Sequence, residues 1–252
     1  MTAPIPRDIP DLPAIPGPPV LQPSPVPATA VVGPVRRPQA AVFRLLIAAA
    51  AAAGVALELL LGTPARTLSY FGVQANIIVA VVMLLSASRA WRTRRPLPGS
   101  VTGATLLYAV TAALVYHLLL AGTTPPFSMT GATEPPARWH AQWAALQVLH
   151  VLIPTAVVLD WLLLTPAGRL RLRQAAAWLL YPLAYLVFYL ARAAFLPASA
   201  PARYLYPFLD ADAHGYRSTL ANALLLGLAI YGLAVLLTAL DHTRPSPTRR
   251  RV

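Results

Sequence analysis

Polar and ionisable residues recur inside the longest apolar stretches of this 252-residue chain, and they are the residues that could do chemistry. Histidine exchanges protons near neutral pH, so His150, within an apolar run at 140–164, is the predicted catalytic base. Gln147 lies three residues earlier, which places both side chains on one face of a helix. The residues predicted to bind substrate are Gln74, Asn76, His117, Gln147, Tyr185, Tyr189, Arg192 and Asn222.

Several other chemistries are excluded by the motifs that the sequence lacks. There is no cysteine, and no HxxxH or HExxH pattern that would supply zinc ligands. A glycine-rich phosphate loop and the Gly-x-Ser-x-Gly elbow of serine hydrolases are also missing. We therefore predict no metal site and no cofactor.

The composition explains why the polar groups lie within apolar runs. Hydrophobic residues make up 57% of the chain and charged residues 11%, with a mean hydropathy of +0.60. A soluble domain carries about 25% charged residues, and a bilayer core is spanned by about 20 apolar ones. The predicted fold is an all-α integral membrane protein, a six-transmembrane-helix bundle in a membrane domain at 39–242. Its spans 1 to 6 are predicted at 41–61, 71–90, 101–122, 140–164, 174–195 and 219–240.

Arginine placement predicts the orientation of the bundle. All 20 basic residues are arginine. Fifteen lie before or at the start of span 1, around the connections between spans 2 and 3 and spans 4 and 5, or after span 6. Four lie in the other three connections, and Arg192 lies within a span. Since basic loops remain on the cytoplasmic side, both termini are predicted to be cytoplasmic. The same clustering beside apolar runs argues against a nucleic-acid partner despite the formal net charge of +12.

The two ends of the chain are predicted to lie outside the membrane domain. Residues 1–38 contain 12 of the 27 prolines and little charge, which is typical of an extended, disordered cytoplasmic tail. A proline-rich ligand for a partner domain is the alternative interpretation of this tail. Residues 243–252 form a short basic cytoplasmic tail.

With this topology, most of the intramembrane polar residues fall in the outer half of the bundle. Ionisable groups in hydrocarbon cost about 2.5–3.5 kcal/mol, so they normally face the bundle interior or a wet cavity. We therefore expect an outward-facing polar pocket in which His150 lies about 15 Å into span 4. Pro154 is expected to free a carbonyl near it. The stripe formed by Tyr181, Tyr185, Tyr189 and Arg192 is expected to face the same pocket.

Each of these polar residues also has a structural interpretation. His117 and His150 could each form a single hydrogen bond between helices, and Arg192 could extend to the outer headgroups. At the cytoplasmic side, Asp160 is expected to pair with Arg169 or Arg171. Asp241 and His242 are expected to form a solvated helix end.

Four segments together resemble a known family. They are 70–76, 150–154 with 160–161, 181–192, and 206–210 with 215–216. This pattern, over about 41–240, resembles the Pr6Pr bacterial six-helix membrane proteins, which implies a multi-pass protein of the bacterial plasma membrane. More remotely it is similar to the androgen-induced-gene group of membrane threonine hydrolases, which cleave fatty-acid esters of hydroxy fatty acids. That similarity implies a threonine nucleophile early in span 2 and a histidine in span 4.

His150 matches the histidine of the hydrolases, but their threonine position falls on Gly72, which has no side chain. The nearest hydroxyls in the sequence belong to Thr67 and Ser69. Three functions therefore remain open: a lipid-ester hydrolase or lipid-modifying enzyme, a non-catalytic carrier of lipids or small molecules, and a structural membrane protein. The predicted partners are membrane lipids and a lipid-like or small-molecule ligand, and the sequence identifies no protein partner.

Overall fold

Six long helices make up the protein, whose computed structural model describes residues 36–123, 126–130, 138–200 and 202–245. Each helix is long and apolar enough to cross a membrane. They are span 1 (Pro38–Leu61), span 2 (Phe71–Trp91), span 3 (Gly99–Leu120), span 4 (Trp139–Leu164), span 5 (Leu172–Phe195) and span 6 (Ala211–Thr243). A short helix (Pro64–Thr67) and a 3₁₀ turn (Pro207–Leu209) lie between spans. Residues 1–35 and 246–252, most of the two predicted tails, lie outside the described residues.

The predicted bounds agree with the helices except at span 6, which begins eight residues earlier than expected. Asp210 caps its first turn, because the Asp210 carboxylate accepts hydrogen bonds from the backbone N–H groups of Asp212 and Ala213 at 2.9 and 3.0 Å. Gly215 then introduces a kink, because its φ of 75° is a backbone conformation that a residue with a side chain rarely adopts. The polar stretch at 211–218 is therefore helical, although it is too hydrophilic to be predicted as part of the span.

Spans 1 to 4 form the centre of the bundle, and spans 5 and 6 lie at its edge. In the most apolar window of each helix, 39–50% of the residues of spans 1 to 4 are buried, against 22% in spans 5 and 6. Many leucines on the outside are exposed, such as Leu60 at 82%. Lipid chains are as apolar as leucine, so such side chains need no protein partner in a bilayer.

Two of the spans are interrupted by π-helical turns. One closes span 3 (Tyr116–Leu120), and two lie in span 4 (Val148–Leu152 and Asp160–Leu164). In the Val148–Leu152 turn, the N–H of Ile153 donates to the carbonyl of Val148 rather than to that of Leu149. The following residue, Pro154, has no N–H to offer, so the Leu149 carbonyl accepts from the Asn76 side chain at 3.2 Å instead. The expectation of a freed carbonyl beside Pro154 agrees with this arrangement.

Buried carboxylates tie together the end of the bundle at which span 1 begins. Asp160 pairs with Arg44 of span 1, with 2.7 Å between Nε and Oδ1, so the expected partners Arg169 and Arg171 were wrong. Arg44 was overlooked because it lies inside an apolar run, where the helix carries it to the level of Asp160. The expectation of a solvated end at Asp241 was also wrong, because its side chain is fully buried. Its Oδ2 accepts from the backbone N–H groups of Arg169 and Leu170 at 2.7 and 2.8 Å.

Candidate functional site

A cavity of about 650 Å³ lies among spans 2 to 6, within the size range of about 300–1,000 Å³ that is usual for ligand pockets. Its walls come from the start of span 2, the second half of span 3, His150 of span 4, and the middle parts of spans 5 and 6. Two loop segments complete it, one with Phe127 and Met129 and the other with Tyr206, Phe208 and Leu209. The lining is mainly leucine and aromatic side chains, so the polar pocket expected from the sequence is instead an apolar cavity with a few polar atoms.

His150 brings an imidazole to the cavity wall. It lies in the π-turn of span 4, is only 4% exposed, and stacks on Tyr116 with 4.5 Å between ring centroids. Its Nδ1 lies 3.2 Å from the Leu146 carbonyl, which can only accept, so in the neutral ring Nδ1 carries the proton. Nε2 is then the free acceptor, the atom that a general base or a ligand acceptor requires.

Gly72 faces this nitrogen from span 2. A Cβ atom built on Gly72 would lie 2.8 Å from Nε2 of His150, closer than real Cβ contacts come. Glycine is therefore what allows the imidazole to approach the first turn of span 2.

Thr111 of span 3 is a second polar residue of the cavity wall, and the sequence analysis missed it. The buried threonines Thr105, Thr219 and Thr238 each donate to the carbonyl four residues earlier, at 2.8–3.1 Å. Thr111, 4% exposed, has no hydrogen-bond partner for Oγ1 within the described part of the chain. Threonine in an apolar span is usually bonded to its own helix, so residue type alone gave no signal.

Tyrosine side chains of span 5 and of the 202–210 segment connect the elements at this part of the cavity. The hydroxyl of Tyr206 accepts from the N–H of Phe71 at 3.0 Å, which satisfies one of the unpaired donors at the start of span 2. Tyr185 lines the cavity, but its hydroxyl donates to the Ser69 carbonyl at 2.9 Å. Tyr189 donates to the Leu209 carbonyl at 3.3 Å. Burial raises the pKa of the Tyr206 phenol above its ordinary value, so this hydroxyl stays protonated and acts only through hydrogen bonds.

Arg192 and Asn222, both predicted to bind substrate, hold the same segment. Nη1 of Arg192 donates to the carbonyls of Ala202 and Arg203 at 3.2 and 3.1 Å. The Asn222 amide donates to the Phe208 carbonyl at 2.8 Å. Neither side chain lines the cavity, and no charged residue is among those that do.

The remaining predicted binding residues lie outside the cavity wall. The amide of Gln74 donates to the Leu68 carbonyl and accepts from the Tyr181 hydroxyl, both at 2.9 Å. Asn76 donates to the carbonyls of Gly72 and Leu149. His117 is exposed and packs edge-on against Tyr116, and Gln147 is half-buried. Of the nine predicted site residues, the cavity therefore brings together His150 and Tyr185.

The two hydroxyls proposed from the sequence as substitutes for the missing threonine also lie outside the cavity wall. Ser69 donates to the Ala65 carbonyl at 2.7 Å, and its own carbonyl is occupied by Tyr185. Thr67 is fully buried near Gly62, with its Oγ1 only 2.8 Å from where a Cβ at Gly62 would lie. Neither hydroxyl is positioned to react with a ligand beside His150.

Within the described residues, no group of three or more His, Asp or Glu side chains comes close enough together to hold a metal ion. The six helices, each long and apolar enough to cross a membrane, define a multi-pass integral membrane protein. Comparison with known proteins finds no matching family model, no similar curated protein and no similar solved structure.

Proposed function

We propose that this protein binds a single lipid-like molecule whose apolar chain fills the cavity and whose polar group meets His150 and Thr111. The observation that carries the proposal is an apolar cavity with two polar residues in its wall, His150, whose hydrogen bond is made by Nδ1 and leaves Nε2 as an acceptor, and Thr111, whose Oγ1 has no partner among the described residues. Buried polar atoms are nearly always hydrogen-bonded, and a ligand that bonds to them would remove the cost of burying them.

The chemistry of the wall indicates the class of ligand. A hydroxyl or protonated carboxyl group can donate to Nε2 of His150, while an ester or acid carbonyl can accept from Thr111. No arginine lines the cavity, and Arg192 is already bonded to two loop carbonyls. A phosphate headgroup would be buried without a counter-charge, which is costly. A neutral lipid such as a fatty acid, a monoacylglycerol or a hydroxy fatty ester therefore fits best.

Exchanging Thr111 for valine tests the binding proposal. Thr111→Val removes the hydroxyl and keeps the branched shape, so we expect affinity for a monoacylglycerol to fall about tenfold, or about 1.4 kcal/mol. Because the hydroxyl has no partner, the free energy of unfolding should be unchanged or rise by up to about 1 kcal/mol. Both quantities are measured on purified protein, by equilibrium binding and by thermal unfolding.

Thr105→Val is the matched control for this experiment. Thr105 lies six residues earlier on the same span, is buried, does not line the cavity and donates to the Val101 carbonyl. Its replacement should lower stability by about 1 kcal/mol and leave ligand affinity unchanged. Equal affinities for wild type and Thr111→Val would contradict the proposed site.

A lipid-ester hydrolase is the second candidate, and the contact between Gly72 and His150 favours it. In the hydrolases that this chain resembles, a threonine would stand at position 72 and His150 would remove its proton. With glycine there, the base would have to activate water instead. The chain resembles the Pr6Pr bacterial membrane proteins, and we propose that it lies in the bacterial plasma membrane as they do.

We infer from the arginine distribution that both termini are cytoplasmic. A reporter that is active only in the cytoplasm, fused after Val252, should therefore be active. The same reporter inserted near Ala132, between spans 3 and 4, should be inactive, and a reporter for the external side should give the reverse pattern. An active cytoplasmic reporter at Ala132 would mean that the orientation is inverted.

A further inference from the structure

We propose that the ligand enters the cavity laterally from the bilayer, through a gap between spans 5 and 6 that is bordered by Gly227. The inference rests on the proposed function, since it assigns to the same cavity a source and a route for its lipid. It commits to an acyl chain of a bilayer lipid as the occupant of the gap. It is carried by three features of the two spans.

The first feature is that several cavity-lining side chains are also part of the outer surface. Leu183 of span 5 and Leu224 and Leu228 of span 6 line the cavity, yet their exposed fractions are 58%, 65% and 58%. The surface of the cavity, shared among all its lining residues, is too small to account for exposed fractions this large, so these side chains also lie at an opening in the wall. These residues lie in the middle of apolar helices, so the medium outside the opening is the hydrocarbon of the bilayer.

The second feature is the way in which the two spans are joined. Near one end, Asp241 of span 6 binds the backbone just before span 5; near the other, Arg203 pairs with Asp212 at 2.7 Å. Between these ties, no hydrogen bond or ion pair in the described part of the chain joins Leu180–Phe195 to span 6. Spans without such bonds can separate to admit a chain while both of their ends stay fixed.

The third feature is Gly227, which lines the cavity on span 6. A Cβ atom built on Gly227 would meet no heavy atom within 4 Å, so the helix presents a notch at this point rather than a packed contact. Glycine costs helix stability of about 1 kcal/mol relative to alanine. A glycine that packs against nothing gains nothing from its neighbours in return, but it leaves space for a chain to pass.

Gly227→Trp tests the route, because the space beside Gly227 can accommodate an indole, and an indole there would block the gap between spans 5 and 6. The matched control is Gly232→Trp on the same helix: Gly232 also has open space around its Cβ position, and it does not line the cavity. The proteins are reconstituted into phosphatidylcholine nanodiscs. A monoacylglycerol with a diazirine in its acyl chain is added, and photo-crosslinking to cavity residues is followed with time for uptake and after dilution for release.

We expect uptake and release to be slowed together in Gly227→Trp, each about tenfold, with Gly232→Trp close to wild type. A narrower gap slows passage of the ligand in both directions and leaves the equilibrium constant for binding unchanged. Faster release with normal uptake would mean that the indole only occupies ligand space, and it would overturn the proposed route, as would rates equal to those of the control. If Gly227→Trp is less stable than Gly232→Trp by thermal unfolding, Leu183→Trp repeats the test from span 5 with the same expected slowing.

The outcomes separate the route from the function on which it rests. If the wild-type protein takes up no monoacylglycerol into the cavity at any time, then the proposed function itself fails. If the wild-type protein is labelled at the cavity, and Gly227→Trp and Leu183→Trp exchange ligand at the wild-type rate, the function stands and the route between spans 5 and 6 is wrong.

Discussion

Gly72→Ser should convert this protein into one that reacts covalently with a lipid fluorophosphonate. The new Cβ lies at the place where an ideal Cβ is 2.8 Å from Nε2 of His150, so the serine hydroxyl is brought to the imidazole once the ring gives way slightly. General-base assistance by a positioned histidine accelerates such attack by about 10²-fold or more. We expect stoichiometric labelling of Gly72→Ser and none of the wild-type protein, measured by intact-protein mass spectrometry.

Two further variants make this prediction specific to the pair. Gly72→Ser/His150→Gln keeps the hydroxyl and removes the base, since an amide does not exchange protons near neutral pH, so its labelling should fall back to background. Gly72→Ala carries only the steric cost and should not react at all. Labelling that persists without His150 would contradict the proposed pairing. Labelling of the wild-type protein that is lost in Thr111→Val would assign the nucleophile to span 3 instead.

Asp241→Ala should lower the free energy of unfolding by about 3–5 kcal/mol, which is typical when one partner of a buried ion pair is removed. Oδ1 of the fully buried carboxylate accepts from Trp161 Nε1 at 3.0 Å and from Arg244 Nη2 at 2.7 Å. Its Oδ2 accepts from two backbone N–H groups. The substitution leaves all of these donors without an acceptor. In a chain of this length the melting temperature should fall by about 10 °C, measured by thermal unfolding in detergent.

Asp212→Ala is the matched control on the same helix. Asp212 pairs with Arg203, but its side chain is 53% exposed, and exposed pairs contribute about 0–1 kcal/mol. Its loss should lower the melting temperature by no more than a few degrees. If Asp241→Ala melts at the temperature of Asp212→Ala, the buried carboxylate does not brace spans 4, 5 and 6 as the structure indicates.

The six spans could be predicted because a bilayer imposes its thickness on every helix that crosses it. Run length and hydropathy alone place spans 1 to 5 to within a few residues. Span 6 began earlier than expected because the cap at Asp210 extends the helix through polar residues that need no contact with lipid. Capping depends on a single side chain, and hydropathy averaged over a long window does not register it.

The roles of the polar residues were harder to predict, because residue type does not reveal the partner. Arg192 and Asn222 looked like ligand-binding groups, yet both donate to backbone carbonyls of the loop between spans 5 and 6. Asn76 donates to a carbonyl whose usual donor is missing because of Pro154. Thr111 was overlooked for the opposite reason: its type indicates a self-bonded hydroxyl, and only the structure identifies it as the exception.

The wall of the cavity depends on the number of residues in the π-turns of spans 3 and 4. Each such turn bonds across five residues rather than four, so it holds one residue more than an α-helix would. The five residues of Val148–Leu152 therefore occupy about the angle of four residues of an α-helix, and removing one of them would restore an α-helix that leaves Asp160 and Trp161 facing Arg44 and Asp241. What would change is the turn itself, where His150 lies beside Gly72 and the Leu149 carbonyl accepts from Asn76. A lipid-facing leucine of span 4 can be exchanged freely, whereas the loss of one residue between Gln147 and Pro154 would change the wall of the cavity.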